Sequence, residues 1–411
     1  MINDDLSNTR TEAHRPMKID VFFDVYPHPA KPYFEAQLTE WQRQGHQLRL
    51  FSFGQIPGAV SAFPITFIRT LRECPASLLA KILWRVVTRP ARSWRIARCG
   101  RRPLQIAKLL ATDAQLPTWP PDVHFVHNLA TAVRFSYLRY AAPRTKLAIY
   151  YHGGEIPGVR QIPLTQSAEA LGRAHVVFSN TRASVTEAVA RGAPAERTIA
   201  IPVGFPLERF VMPESRSYLA GNRWRFVCLG RVAPEKGFDV VLRALAALKL
   251  ERHDFHLTLI GGGPALPSLE ALATELDLGE VVTFAGFIES YQEMVHRLAT
   301  FDALIFASLP VLGSNFHDTQ ACVMQEAMLM GAVVVASRIG GIPESLPPIL
   351  HPYLYTPGSR DELCARLSAM LKTEATTLRA NAEAARRFVI DNYDIRKVNE
   401  QLLAHIAVIT A

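Results

Sequence analysis

The chain has 411 residues, 49% of them hydrophobic and 20% charged, which excludes a disordered polyelectrolyte and, at roughly 150 residues per domain, a single small core. Lys plus Arg number 45 against 37 Asp plus Glu, a net charge of +8, compatible with an anionic substrate, an anionic lipid surface or nucleic acid. The five cysteines, Cys74, Cys99, Cys228, Cys322 and Cys364, are scattered without a C-x-x-C pair, so no disulfide framework is expected and the compartment expected is the reducing cytoplasm.

Residues 1–16 are polar, with early acids and no apolar run; a disordered lead-in is expected there rather than a signal peptide. No stretch of about 18 apolar residues occurs to form a membrane-crossing helix, which leaves peripheral binding open. The first strand is expected from Lys18, ending near Pro27, followed by an amphipathic helix over 33–44 closed by Gly45 and a second strand at HQLRLFSF. That is a βαβ unit of a parallel sheet. Further strands are expected at 123–127, 146–152, 174–180 and 198–204, with helical periodicity between them. After a proline- and glycine-bearing link at 206–223 the rhythm resumes, with strands at 224–230, 255–261, 280–286, 303–308 and 332–337. The expectation is two α/β domains with a ligand cleft between them.

Residues 63–110 stand apart. Eleven cations, among them Arg69, Lys81, Arg85, Arg92, Arg98 and Lys108, are interleaved with Leu, Ile, Val and Trp, and Glu73 is the one acid. Two readings fit: a basic amphipathic surface on anionic lipid, with Trp84 and Trp94 as interfacial anchors, or a solvated helical face.

The segment FVCLGRVAPEKGF places Arg231 and Lys236 where an apolar strand ends at Gly230 and a helix begins after Gly237. Two cations at a strand's carboxyl end, beside a helix N-terminus, suit a diphosphate, although loop cations are also commonly just solvated. A helix is expected from about Thr319 to Met330, stopped by Gly331. Asp318 and Glu326 then lie eight residues apart, a little over two turns, offset by roughly 80° around the axis, and both can border one elongated ligand. Asp318 also fits a plain N-cap. Glu326 sits among Ala, Val, Met and Leu and should be buried; it then needs partners, which ribose hydroxyls or a structural cation could supply. His152 ends a strand before Gly153 and Gly154, with Glu155 beyond, and His127 ends another; each is either a cleft residue or a satisfied structural histidine.

Taken together, GRVAPEKG, LIGGGP, FAGF, the Asp318-to-Glu326 array followed by AMLMGAVVVAS, and GGIPE, with HGGE at 152–155 and SNTRASVTEAVARGAPAERTIAIPVGFPLERF at 179–210, resemble the retaining GT-B glycosyltransferases of family four. The likeness covers most of residues 17–400 and is greatest to the branch that builds bacterial exopolysaccharides. It implies an α/β GT-B fold of two Rossmann-like domains facing across a deep cleft: an acceptor-binding domain over 17–205, a nucleotide-sugar domain over 206–390, and a C-terminal helix over 391–411 crossing back. It implies that Arg231 and Lys236 hold the donor diphosphate, Glu326 the ribose and Asp318 the donor sugar, with His152 at the anomeric centre. Gly230, Gly263, Phe287, Ile288, Thr319, Gln320 and Ala321 would complete the donor site, and Glu155, His127 and Tyr33 the acceptor or sugar side. The chain departs from the family pattern at Asp318, where glutamate is usual, and near Pro27 to Pro32, where a glycine pair is common.

The chemistry expected is transfer of a sugar, with retention, from UDP- or GDP-sugar to a glycan acceptor, lipid-linked, on the cytoplasmic face of the inner membrane. No D-x-D motif is present, so a cationic cradle rather than a bound metal is expected to meet the leaving diphosphate, with no cofactor. Attack on the leaving-group face and a covalent intermediate on Asp318 or Glu155 both remain open. The rival readings are a nucleotide-sugar epimerase of the same fold and a non-catalytic basic protein binding membrane or nucleic acid. No nucleic-acid signature is present, and nucleic acid is not an expected partner.

Overall fold

The computed structural model describes residues 15–28, 32–70, 73, 76–100, 102–117, 120–153, 162–252, 254–311 and 318–411. Most of the expected lead-in, and Glu155, lie outside the described residues.

Seven parallel strands build the first sheet: β1 (Lys18–Val25), β2 (Gln47–Gly54), β3 (Ile65–Phe67), β4 (Val123–His127), β5 (Lys146–Tyr151), β6 (Val176–Ser179) and β7 (Thr198–Ala200). Their spatial order is β3-β2-β1-β4-β5-β6-β7. The helices between them are α1 (Pro32–Arg43), α2 (Ala76–Thr88), α3 (Pro90–Ala97), α4 (Pro103–Gln115), α5 (Leu129–Phe135), α6 (Leu138–Ala141), α7 (Leu164–Gly172) and α8 (Arg182–Ala190). The second sheet holds β8 (Trp224–Leu229), β9 (Phe255–Ile260), β10 (Val282–Gly286), β11 (Ala303–Phe306), β12 (Val333–Ser337) and β13 (Leu354–Tyr355), in the order β10-β9-β8-β11-β12-β13 and again all parallel. Its helices are α9 (Phe238–Lys249), α10 (Leu266–Glu275), α11 (Tyr291–Leu298), α12 (Cys322–Leu329), α13 (Arg360–Leu371) and α14 (Ala375–Tyr393). Strand order reverses beside β1 in one sheet and beside β8 in the other, which opens a crevice at the carboxyl ends of each. Strands covered on both faces read as unbroken apolar runs: all five residues of β12 and of β4 are buried.

The last helix, α15 (Ile395–Thr410), belongs to the first domain's core. Its Val398, Leu402, Leu403 and Ile406 are buried in one cluster with Ile19, Trp41, Phe125 and Phe178. Each such burial is worth about 1.5–3 kcal/mol relative to exposure. The chain returns at Asp394, which caps α15 by accepting from the Arg396 N–H at 3.0 Å, while the backbones of Phe205 and Ile395 bond at 3.0 Å.

Three expectations need correction. The strand expected over 198–204 stops at Ala200, because Val203 is taken up by the other domain. Two short strands, β3 and β13, were not foreseen. The helix expected from Thr319 begins only at Cys322, with Ala321 in the N-cap position; Asp318 is therefore not its cap.

In the basic segment, Arg85 and Arg92 turn inward. Arg92 donates to the Asp113 carboxylate at 2.6 Å and to the Ala141 carbonyl at 3.2 Å, and Arg85 donates to the Asp113 and Leu116 carbonyls. Asp113 is buried. These arginines pin α2 and α3 to the end of α4 and are neither solvated nor available to lipid.

Candidate active site

The loops at the carboxyl ends of the second sheet carry the charge. β8 ends at Leu229, and the strand-to-helix turn that follows is bound to its neighbour: Gly230 donates to Ile260 at 3.1 Å and Val232 to Gly262 at 2.9 Å. A side chain at Gly263 would collide with the Val232 carbonyl, so this approach of the two loops requires glycine. Arg231 is paired with the buried carboxylate of Glu235, and its own side chain is 46% exposed, free to reach a ligand. Lys236 donates to Asp318 Oδ2 at 2.7 Å and lies 5.7 Å from the centre of the Phe306 ring. Ser308 donates to the same Asp318 oxygen. Gly237, at φ 61°, allows the turn into α9; a Cβ there would strike the Ala307 carbonyl.

Asp318 is thus a strut that orients Lys236. Ala321 has no side chain with which to cap α12, so the opening N–H groups of that helix are available to an anion. One turn further, Glu326 is buried and accepts from Tyr291 Oη at 2.8 Å. Desolvation pushes its carboxyl up to about 7, against the opposing pull of the tyrosine hydrogen bond. Tyr291, at the start of α11, and Ser308 were not identified from the sequence. Ile288 is half-buried at the carboxyl end of β10, and the adjacent Phe287 ring is 71% exposed on the rim.

The side chains of Thr319 and Gln320 bond to the first domain. Thr319 Oγ1 accepts from Asn180 Nδ2 at 2.8 Å and donates to the His152 carbonyl at 3.1 Å. Gln320 pairs both ways with the backbone of Val203, at 2.8 and 3.0 Å. Glu344 adds a third link, accepting from the N–H groups of Arg182 and Ala183 at 2.9 and 2.8 Å at the start of α8. These bonds hold the carboxyl ends of the two sheets against each other.

Across from this charged array the first domain presents aromatic rings. His152 stacks on Tyr150 with ring centres 4.3 Å apart, and its Nε2 lies 3.1 Å from His127 Nδ1. Tyr33 and Phe34 complete the cluster, their ring centres 6.4 and 5.6 Å from that of His152. Burial raises the Tyr33 hydroxyl well above its ordinary value. Gly153, at φ 101°, brings the backbone so close to Thr319 that a Cβ would lie 2.6 Å from its methyl group. Behind the cluster is a cavity of about 20 Å³ lined by Tyr33, His127, His152 and Asn399 of α15, room for one water. The structure brings His152, Asp318, Thr319, Tyr33 and His127 to one place.

A larger surface concavity, lined by Arg223, Arg252, Asp254 and Glu280 among others, opens at the amino ends of β8–β10, opposite the crevice. Ligands of parallel α/β sheets bind at the other end. Among the described residues no group of three or more His, Cys, Asp or Glu side chains could hold a metal ion.

Two parallel α/β domains with carboxyl ends opposed, closed by a final helix that returns to the first, are the GT-B architecture. Anabaena HepE in complex with UDP superposes with a TM-score of 0.68 at 19% identity, over 95% of this chain and 100% of that one. Residues 214–388 match the family model for Glycosyl transferases group 1. Similar proteins include the 2-deoxystreptamine glucosyltransferase of Streptomyces kanamyceticus, 29% identical over 68% of this chain and 64% of that protein. The putative colanic acid biosynthesis glycosyltransferase WcaL of Salmonella typhimurium is 24% identical over 94% and 98%. The chain thus spans just under two thirds of the first relative and nearly all of the second.

Proposed function

We propose that the protein is a retaining glycosyltransferase that moves a sugar from a nucleoside diphosphate sugar to a glycan acceptor in cell-surface polysaccharide assembly. The observation that carries this reading is the Lys236–Asp318 pair, set beside Arg231 and the uncapped start of α12, directly across from His152. Breaking the anomeric C–O bond leaves negative charge on the departing diphosphate and positive charge on the sugar. Arg231, Lys236 and the α12 N–H groups meet the first, which supports a metal-independent reaction. The buried Glu326 carboxylate is suited to accept from the two hydroxyls of a ribose, Phe287 to cover the base, and Asp318 to border the sugar.

Retention follows from attack on the leaving-group face, a phosphate oxygen taking the acceptor hydroxyl's proton while the interdomain bonds fix orientation. Asp318 Oδ2 already accepts from Lys236 and Ser308, which fits a positioning carboxylate better than a nucleophile. His152 and Tyr33 would border the acceptor. The acceptor class we favour is a lipid-linked glycan reached from the cytoplasmic side, and the colanic acid relative supports the exopolysaccharide setting.

A thermal-shift panel of UDP-, GDP- and ADP-sugars without metal tests the donor site. A ligand that binds only the folded state at 100 times its dissociation constant adds about 2.7 kcal/mol. A selective shift, abolished in Arg231→Ala, is expected; no shift with any donor, or an unchanged shift in the variant, defeats the cradle. Product analysis separates transfer from epimerisation, since only transfer requires an acceptor.

A further inference from the structure

We propose that α2 is a membrane-inserting helix whose outward apolar face enters the headgroup region of an anionic bilayer. The 13-residue helix ASLLAKILWRVVT buries only Leu78. Leu79, Leu83, Val86 and Val87, spaced i, i+4, i+7 and i+8 on the opposite side, are between 38% and 77% exposed, and Trp84 is 56% exposed. Ordinary surface helices are patterned the other way round, with the polar face outward. The inward side is held by Arg85 on Asp113, so the chain spends its cation on anchoring α2 and leaves the apolar face to the outside. An apolar stripe of this kind marks an interaction surface.

Charge selects the occupant. In the same segment Lys81 of α2, and Arg98, Arg102 and Lys108 in and beside α3 and α4, are exposed, Arg98 lying 4.6 Å from the centre of the exposed Trp94 ring. Glu73 is the one acid between residues 63 and 110. An apolar strip in so basic a segment, with exposed indole rings, matches acyl chains beneath anionic headgroups. No helix among the described residues is long and apolar enough to cross a membrane, so this is lateral insertion. The face carries no residue of the cleft and is judged separately from donor binding.

The test is co-sedimentation of the full chain with phosphatidylcholine vesicles, with and without about 30% phosphatidylglycerol, at low salt and at about 0.5 M NaCl. Binding to the anionic vesicles is expected, and a substantial part should survive high salt, which screens charge to within a few ångströms but leaves apolar insertion intact. The double variant Leu83→Glu with Val87→Glu should lose about tenfold or more in partitioning at an unchanged melting temperature. Should that variant fold poorly, the wild type and Trp84→Phe decide. Tryptophan emission should shift to the blue on vesicle addition, and by less in Trp84→Phe. No vesicle binding, binding fully released by salt, or a blue shift identical in Trp84→Phe overturns the proposal. So does a dimer in solution that the double variant dissolves, which would mean that a second copy covers the face.

Discussion

The two domains share one parallel-sheet frame but present opposite chemistries to the crevice. The second domain offers ions held in pairs, Arg231 with Glu235 and Lys236 with Asp318. The first offers stacked rings, Tyr150, His152, His127, Phe34 and Tyr33. Pairing each cation with a fixed carboxylate aims it before a ligand arrives, so little reorganisation is needed when charge develops. An aromatic wall suits a sugar, whose faces are apolar and whose charge during transfer is transient. On the proposed reading, one frame would divide sugar transfer between an ionic half and an aromatic half.

Replacing Lys236 by alanine attacks the ionic half and should show the largest effect. It removes a cation and leaves Asp318 pointing uncompensated at a phosphate; turnover in a sugar-transfer assay should fall by about 10²–10³. Leu402→Ala attacks the support of the aromatic half: a fully buried leucine of α15 is lost from the first domain's core, at a cost of about 2–5 kcal/mol in denaturant unfolding. Donor affinity measured calorimetrically should then decline far less than stability.

Glu326→Gln sharpens the comparison through pH. With its carboxyl pushed up to about 7 by burial, Glu326 is mostly protonated at pH 6 and mostly ionised at pH 8. Donor affinity, which needs the carboxylate to accept from ribose, should rise about tenfold across that interval in the wild type and stay flat in the glutamine variant. Stability runs the other way. A carboxyl raised in the folded state holds its proton more tightly there than in the unfolded chain, so stability is greatest below the ordinary value of 4.5 and falls as pH climbs to about 7. The loss is of order 3 kcal/mol, and the wild type's melting temperature should drop relative to the variant's over that range. Gln320→Ala, which cuts the bonds to Val203 across the crevice, should raise KM about three- to tenfold with a small change in melting temperature, the two hydrogen bonds being worth about 1 kcal/mol each.

Most of the frame was legible because buried parallel strands announce themselves as apolar runs. β3 and β13, at three and two residues, are too short to carry such a pattern. The positions of Arg231, Lys236 and Glu326 were legible too, since strand ends and an all-apolar helix leave a local mark. What those residues touch was not. Tyr291 lies 35 residues before Glu326, and Val203 lies 117 before Gln320; nothing in the local spacing of either points to the other. Asp318 looked like a helix cap because its type fits, but competition from Lys236, Ser308 and the opposite domain delays the helix to Cys322. Likewise Arg85 and Arg92 read as surface cations until Asp113, outside the basic window, is placed beneath them.

The return of α15 sets a constraint on biosynthesis. The first domain's sheet leaves the ribosome early, yet the side chains that close one wall of its core, Val398 to Ile406, are made much later. Some 200 residues separate them, roughly 10–40 s of synthesis at ordinary elongation rates. Throughout that interval the nascent amino-terminal half carries an open apolar groove the width of one helix.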